Sequence, residues 1–359
     1  MDIEIRPEIK TVPVSESAGM ALCHDITEIR PGEFKGRAFK KGHVIREDDI
    51  EKLRRLGKEH VYVLSISKDE MHEDDAACAL AHSLIGSGVE VGGEPREGKI
   101  DLVAGRNGLL KVDKNALLQF NMLGQVMCAT LHTNTVVRKG QKVGGTKAIP
   151  LVIRKDIIAE AVRIAGQSRE NGRSGVLEVK DIRRPNVGVV ITGNEVYYGR
   201  IEASFAPVII KKIETFRGSI AGVCFAPDDA QHIRLRIGEL LGNGADLLII
   251  TGGMSVDPDD MTRSAISRLG TDEMFYGAAA LPGSMFLIAY LSASRHRSPV
   301  PILGVPACAI HNRTTALDLL LSRILAGEHI GRKDLAEMGH GGLCMNCEAC
   351  RWPVCPFGK

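Results

Sequence analysis

Aromatic side chains are scarce in this sequence: phenylalanine, tryptophan and tyrosine make up 4% of its 359 residues, with a single tryptophan. Charge of one sign is also lacking, because 46 lysines and arginines nearly balance 44 acids and leave a formal net charge of +2. Proteins that bind nucleic acid usually carry a basic face, and those that bind single strands add rings that stack on bases. We therefore expect no nucleic-acid partner.

Long apolar runs are absent as well. No stretch reaches the roughly 20 residues that a membrane-spanning helix needs, and the charged residues 1–6 lack the apolar segment of a signal peptide. These observations predict a cytoplasmic protein with no membrane partner. The composition, 44% hydrophobic and 25% charged, is globular, and 359 residues are enough for two or three domains.

From about residue 176 the sequence alternates between strand and helix patterns. Strands are predicted at 187–191, 221–226, 247–251 and 301–305, and helices at 203–217, 229–242, 259–269 and 309–326. This alternation predicts an α/β domain with a doubly wound, mostly parallel sheet, preceded by mixed α+β structure. We therefore divide the chain into an N-terminal α+β, β-rich region (1–70 and 135–175), an inserted small α+β domain (71–134), the α/β domain (176–330) and a cysteine-rich tail (331–359).

The loops that follow the four predicted strands carry chemically useful residues. They contain Thr192-Gly193-Asn194-Glu195, then Asp228-Asp229, then Thr251-Gly252-Gly253 with Ser255 and Asp260, and finally Pro306 and Cys308. Ligands bind doubly wound sheets at the carboxyl ends of the strands, so these loops are expected to form one site. Glycines and a helix start suit a phosphate, and carboxylates suit a divalent cation. Each loop alone is also explained as an ordinary turn.

In order and spacing, these residues resemble the molybdopterin molybdotransferase (gephyrin-type) family over about 185–330. The family pattern is Thr-Gly-Asp-Glu, Asp-Asp, Thr-Gly-Gly-x-Ser, Pro-Gly-Lys and Leu-Pro-Gly-Asn-Pro; Pro282-Gly283-Ser284 and residues 304–309 match its last two parts. Parts of 12–149 resemble the family's N-terminal domains. The resemblance implies binding of molybdopterin or its adenylylated form, insertion of molybdate with Mg²⁺, a homodimer, and a molybdenum enzyme as acceptor.

The resemblance also implies roles for individual residues. It makes Glu195, Asp260 and one of Asp228 and Asp229 the catalytic acids. The remaining matched positions are expected to contact the cofactor; they are Thr192, Gly193, Asn194, Thr251, Gly252, Gly253, Ser255, Pro282, Gly283, Ser284, Pro306 and Cys308.

Several positions depart from the family pattern. Asn194 stands in place of an acid, Ser284 replaces a lysine, and Ala307-Cys308-Ala309 replaces Gly-Asn-Pro. The loss of these charges leaves two alternatives to metal insertion open. The protein could be a non-catalytic carrier or sensor of the cofactor, or a nucleotide-pyrophosphate hydrolase of the same fold.

Four of the nine cysteines lie within the last sixteen residues, at Cys344, Cys347, Cys350 and Cys355. Their spacing, C-x2-C-x2-C-x4-C-P, is close to the run that binds iron–sulfur clusters in bacterial ferredoxins, which has three residues before its last cysteine. Four thiolates also suit a structural zinc ion. The tail is therefore predicted to bind either a [4Fe–4S] cluster or Zn²⁺.

Overall fold

A computed structural model describes residues 9–30, 34–64, 66–200, 205–254, 261–292 and 299–359. The chain divides into two compact units, one built from 1–132 and 137–179 and the other from 133–136 and 180–359. The sequence predicted four parts, which is a finer division than these two units, and the four-part division stays a prediction. In the described ranges, no helix is long and apolar enough to cross a membrane.

Short strands dominate the first half of the chain. Its strands are β1 Ile9–Pro13, β2 Ala21–Leu22, β3 Ile26–Arg30, β4 Phe34–Phe39, β5 His60–Leu64, β6 Glu70–His72, β7 Val89–Val91, β8 Lys99–Ala104, β9 Gly108–Val112, β10 Val126–Thr130, β11 Thr135–Val137, β12 Lys142–Ala148, β13 Val152–Arg154 and β14 Leu177–Lys180. Its helices are α1 Glu47–Arg55, α2 Glu73–Leu84, α3 Lys114–Met122 and α4 Lys155–Glu170.

The first unit contains two principal hydrophobic cores. Strands β1, β5 and β2 form one antiparallel sheet. The hydrophobic core beside this sheet contains Leu22 of β2, Val63 of β5 and Leu53 of α1. The second core lies between the sheet β10-β12-β8-β7 and helices α2, α3 and α4, with Phe120 at its centre. Since this core includes residues from both sides of the predicted boundary at 134, the inserted segment and the residues after it pack together.

The second unit contains a six-stranded sheet. Its elements are β15 Asn186–Thr192, α5 Asn194–Tyr197, α6 Phe205–Glu214, β16 Ser219–Ala226, α7 Ala230–Gly242, β17 Leu247–Thr251, α8 Thr262–Ser267, β18 Glu273–Tyr276, β19 Leu287–Leu291, β20 Val300–Val305, α9 Cys308–His311, α10 Ala316–Leu325 and α11 Arg332–Glu337. The strand order is β16-β15-β17-β20-β19-β18, and the first four strands are mutually parallel.

Strand β17 shows why this sheet has helices on both faces. All five of its residues are buried, as expected of a strand covered on both sides. Leu247 and Ile249 join the core formed with α6 and α10, whereas Leu248 and Ile250 join the core formed with α7 and α8. Because side chains alternate along a strand, one apolar run supplies both cores. The predicted doubly wound α/β fold is therefore confirmed.

Two features of the second unit differ from the sequence prediction. Strands β18 and β19 form an antiparallel hairpin that extends the parallel sheet beyond β20. In addition, the single helix predicted at 309–326 is broken into α9 and α10. The break occurs because Thr315 is extended and forms a capping box with Asp318, which begins a new helix.

Candidate functional site

The carboxyl ends of β15, β16, β17 and β20 lie together along one side of the sheet, which we call the carboxyl edge. Their last residues are Thr192, Ala226, Thr251 and Val305. The strands are parallel and neighbouring, so the four predicted loops all begin at this edge. This is the position at which doubly wound sheets bind ligands.

Three buried threonines join the ends of the two central strands. The Thr192 hydroxyl donates to the carbonyl of Thr251 at 3.2 Å, and its oxygen lies 3.0 Å from the hydroxyl oxygen of Thr262. Thr251 is fully buried, and its hydroxyl has no hydrogen-bond partner among the described residues. Burying an unpaired hydroxyl costs free energy, so a polar group at the end of β17 is available for a further interaction.

The glycines after β17 are required by backbone packing. Gly252 has φ +92°, and a Cβ there would lie 2.2 Å from the carbonyl oxygen of Thr192. Gly253 has φ +55°, and its Cβ would lie 2.6 Å from the Thr262 hydroxyl. Both positions therefore need glycine to hold the turn close to the neighbouring loop, whether or not a ligand also approaches it.

Asn194 and Asp228 connect the first loop to the second. The Asn194 N–H donates to the Asp228 carboxylate at 3.0 Å, and the Asp228 N–H donates to the Asn194 side-chain oxygen at 3.3 Å. Glu195 is exposed, and its carboxylate folds back so that a Cβ on Gly193 would lie 2.6 Å from it. These contacts bring two predicted acids and the substituted Asn194 to adjacent loops of the carboxyl edge.

Asp229 has a different local role from Asp228. It is the N-cap of α7, where its carboxylate accepts from the His232 N–H at 2.8 Å and lies 2.7 Å from His232 Nδ1. The hydrogen bond from the His232 backbone, followed by the one from its side chain, lowers the pKa of Asp229. The two acids therefore differ in local role: Asp229 caps α7, whereas the Asp228 carboxylate accepts from the first loop.

The loop 282–284 packs on the start of α10. The Ala316 N–H donates to the Pro282 carbonyl at 3.2 Å, and a Cβ on Gly283 (φ +114°) would lie 2.6 Å from the Ala316 nitrogen. Ser284, the residue that replaces a family lysine, is exposed. The predicted Pro-Gly-Ser loop is thus positioned by helix α10.

Cys308 lies at the start of α9, two residues after Pro306 and three after the end of β20. Burial raises the pKa of its thiol, and the backbone N–H groups of Cys308 and Gly283 only partly oppose this effect. The thiol is therefore neutral near pH 7 and is turned toward the 282–284 loop. This arrangement suits a packing residue better than a nucleophile.

Two predicted site residues, Ser255 and Asp260, lie outside the described residues. Among the described residues nearby, the Tyr276 hydroxyl donates to the Met254 carbonyl at 2.8 Å, and Thr262 contacts Thr192. Neither Tyr276 nor Thr262 was identified from the sequence. Tyr276 lies on the unpredicted hairpin, and Thr262 carries no motif, so only the tertiary fold brings them to Met254 and Thr192.

The four tail cysteines line one pocket with a volume of about 470 Å³. All four are free thiols, and Cys347 is the exposed member. The Thr314 hydroxyl lies 3.6 Å from Cys350 Sγ, and it is the leading cause that lowers the pKa of Cys350. Among the described residues, no set of three His, Cys, Asp or Glu side chains is drawn together closely enough to hold a single metal ion.

The fold and the carboxyl edge define an α/β domain built to bind a ligand at its strand ends. Residues 188–326 match the family described as probable molybdopterin binding domain, and residues 11–65 match a domain of unknown function (DUF8806). The 188–326 segment is therefore similar to the probable molybdopterin binding domain, and the predicted resemblance is confirmed for this part of the chain.

Curated relatives match part of the chain. A molybdopterin molybdenumtransferase from Synechococcus elongatus is 27% identical over 148 residues, which are 39% of this chain and 36% of the relative. A CinA-like protein from Mycolicibacterium vanbaalenii is 30% identical over 92 residues, 26% of this chain and 22% of the relative. The chain thus matches about a third or less of the length of either protein.

The comparison with solved structures also gives matches to part of the chain. The tungsten cofactor synthesizing protein MoaB from Pyrococcus furiosus is 18% identical, with 40% of this chain covering 93% of that chain at a TM-score of 0.34. The similarity to the molybdopterin-binding domain rests on the match at 188–326 and on the curated transferase relative.

Proposed function

We propose that the carboxyl edge of the second unit binds molybdopterin, or its adenylylated form, and that the protein inserts molybdate during molybdenum cofactor biosynthesis. One observation carries the proposal: the reciprocal hydrogen bonds between Asn194 and Asp228 join the first two loops of a domain that matches the molybdopterin-binding family. The Thr192–Thr251 bond adds the third loop. Together they provide backbone N–H groups, a hydroxyl and carboxylates at one edge.

Each group has a chemical use in this proposal. The turn at Gly252 and Gly253 and the unpaired Thr251 hydroxyl provide polar groups for the ligand phosphate. Asp228 and Glu195 would hold Mg²⁺, because hard divalent cations prefer carboxylate oxygens. The cation would supply positive charge that offsets the negative charges of phosphate and molybdate. Asp260, which lies beyond the described residues, belongs to the same proposed set of acids.

Two alternatives follow from specific observations. Ser284 is exposed where the family has a lysine, and Asn194 replaces an acid, which favours a cofactor carrier or sensor that does not insert metal. A nucleotide-pyrophosphate hydrolase of the same fold is the other alternative, because glycine turns at the ends of parallel strands also suit the phosphates of a nucleotide. The proposal further includes a homodimer in the cytoplasm, a molybdenum enzyme as acceptor, and a tail that binds an iron–sulfur cluster or zinc.

One anaerobic experiment separates the three functions. The full chain is mixed with adenylylated molybdopterin, molybdate and Mg²⁺, and bound pterin, inserted molybdenum and released AMP are measured together. Insertion of molybdenum supports the proposal. Tight pterin binding with neither insertion nor AMP release supports the carrier, and AMP release without molybdenum insertion supports the hydrolase.

Two variants test the acids themselves. Asp228→Asn and Glu195→Gln should each lower insertion by about tenfold or more, since each removes a charge that would hold the cation. Asp229→Asn is the matched control, because its carboxylate caps α7. If Asp229→Asn reduces the rate as much as Asp228→Asn does, then the assignment of Asp228 to the cation is wrong.

A further inference from the structure

The cysteine tail is joined to the second unit beside the proposed cofactor loops. The Leu281 N–H donates to the Gly342 carbonyl at 2.7 Å, and the Cys344 N–H donates to the Leu281 carbonyl at 2.8 Å. Leu281 directly precedes the Pro282–Ser284 loop. Farther along, the Gly358 N–H donates to the Gly341 carbonyl at 2.9 Å. The chain after the four cysteines therefore returns to the residues just before them. The tail is therefore a closed loop anchored at its base.

Helix α9 and the break that follows it form the other wall of the tail pocket. Residues 311–314 line the pocket together with all four cysteines. Thr315 is the N-cap of α10, so Arg313 and Thr314 lie between the two helices and outside both. These non-helical residues form the wall. Helix α9 starts at Cys308, at the carboxyl edge, and ends at His311, in the pocket. One short helix thus connects the two sites.

Polar and charged groups line the pocket beside the sulfurs. The Thr314 hydroxyl is within hydrogen-bonding distance of Cys350 Sγ at 3.6 Å. Two cations, Arg313 and Arg351, and one acid, Glu348, also line the pocket. Hydrogen bonds to sulfur and compensating charge are the means by which proteins stabilise iron–sulfur clusters, whose thiolate ligands add negative charge.

We propose that Cys344, Cys347, Cys350 and Cys355 ligate one [4Fe–4S] cluster in this pocket. A single zinc ion holds four thiolates about 2.3 Å away and closes the space between them. A cluster of four irons and four sulfides needs more room than a single ion, and these four cysteines, with twelve other residues, line a pocket of about 470 Å³. The first three cysteines also have the C-x2-C-x2-C spacing of ferredoxins.

The cluster has a structural consequence for the neighbouring loop. Its assembly restrains Cys344, and through the two backbone hydrogen bonds it restrains Leu281 and the start of the 282–284 loop. A protein that contains the cluster therefore holds one wall of the carboxyl edge in place. This inference does not depend on the identity of the ligand there, since it concerns only the tail and Leu281.

Reconstitution of the full chain without any pterin tests the cluster. The protein is incubated anaerobically with ferrous iron and sulfide, or in parallel with Zn²⁺, and bound metal and acid-labile sulfide are counted. We expect about four irons and four sulfides per chain and absorbance near ~400 nm that dithionite bleaches. Uptake of one zinc ion with no sulfide-containing iron product would overturn the proposal.

Cysteine variants assign the ligands. Cys347→Ala and Cys350→Ala should each reduce cluster content by at least about fivefold, because an incomplete ligand set does not retain the cluster. Cys224→Ala, on β16 and also half-buried, is the matched control and should bind iron normally. Cys347 is exposed, so its replacement leaves folding intact if Cys350→Ala fails to fold. Full cluster content in Cys347→Ala would contradict the four-cysteine assignment.

Hydrogen exchange tests the link to the loop. The Leu281 and Cys344 amides should exchange at least about tenfold more slowly in the protein with the cluster, since their hydrogen bonds then open less often. The Ala265 amide, bonded to the Met261 carbonyl near α8, is the internal control. Equal Leu281 rates with and without a full cluster would refute the proposed restraint on the loop.

Discussion

Gly252→Ala tests whether the turn after β17 is dictated by backbone packing. Gly252 has φ +92°, a region that costs an L-residue about 1–2 kcal/mol. In addition, the new Cβ would lie 2.2 Å from the Thr192 carbonyl oxygen, which is backbone and can move only if the ends of β15 and β17 separate. Overpacking of this kind adds about 1–3 kcal/mol, so we expect a total loss of roughly 2–5 kcal/mol.

Gly270→Ala is the matched control for this variant. Gly270 lies in the same unit with φ +76°, and a Cβ there meets no atom within 4 Å. It should therefore lose only the conformational part, about 1–2 kcal/mol. The difference between the two variants isolates the contact with Thr192.

Urea unfolding followed by tryptophan fluorescence measures these losses. The single tryptophan, Trp352, lies in the second unit, so its signal reports on that unit. Equal shifts in the urea midpoint for Gly252→Ala and Gly270→Ala would refute the packing argument. Adenylylated molybdopterin binding is measured on the same samples below the transition; a binding defect in Gly252→Ala with no extra loss of stability would assign this glycine to the ligand alone.

Three further variants test individual groups. Asn194→Asp keeps the hydrogen bond from the Asp228 N–H and adds a negative charge beside the Asp228 carboxylate. The affinity for Mg²⁺, measured by calorimetry, should therefore rise several-fold. An unchanged affinity would place the cation elsewhere. Thr251→Val removes a buried hydroxyl that is unpaired among the described residues, so urea unfolding should show a stability that is unchanged or raised by up to about 1 kcal/mol. The affinity for the pterin should fall. An intact affinity would exclude a ligand role for this hydroxyl. Burial raises the pKa of Asp334, but the Gly331 N–H and the Arg323 guanidinium outweigh this effect and leave the pKa lowered. Asp334→Asn should therefore lower the free energy of unfolding by about 1–3 kcal/mol near pH 7, and this loss should vanish as pH falls below about 3.8. A loss of stability that does not depend on pH would contradict the ion pair.

Much of the second unit could be predicted because its apolar patterns are local. The run Leu247–Thr251 is buried at every position, and the strand–helix alternation around it has one common solution, a doubly wound sheet. The position of the loops at the strand ends then follows from the parallel topology. The hairpin β18–β19 escaped prediction because β18 is short and of mixed character, while the apolar run of β19 cannot be told from a buried helix by periodicity alone.

The roles of single residues depended on contacts that no local pattern encodes. The sequence marks Asp228 and Asp229 equally, and only the start of α7 separates a capping carboxylate from one that bonds the neighbouring loop. The same holds for Thr262, which meets Thr192 across 70 residues of chain.

For this protein, then, the sequence alone determined the α/β class, the glycine turns, the acids at the strand ends and the cysteine spacing, since each is a matter of residue type and short-range order. The tertiary structure decided which of these groups meet. Two hydrogen bonds at Leu281 bring the cysteine tail beside the 282–284 loop. The helix break before Thr315 forms part of the pocket that the tail cysteines line. Long-range pairing of this kind depends on the packing of the whole domain, and spacing along the chain does not record it.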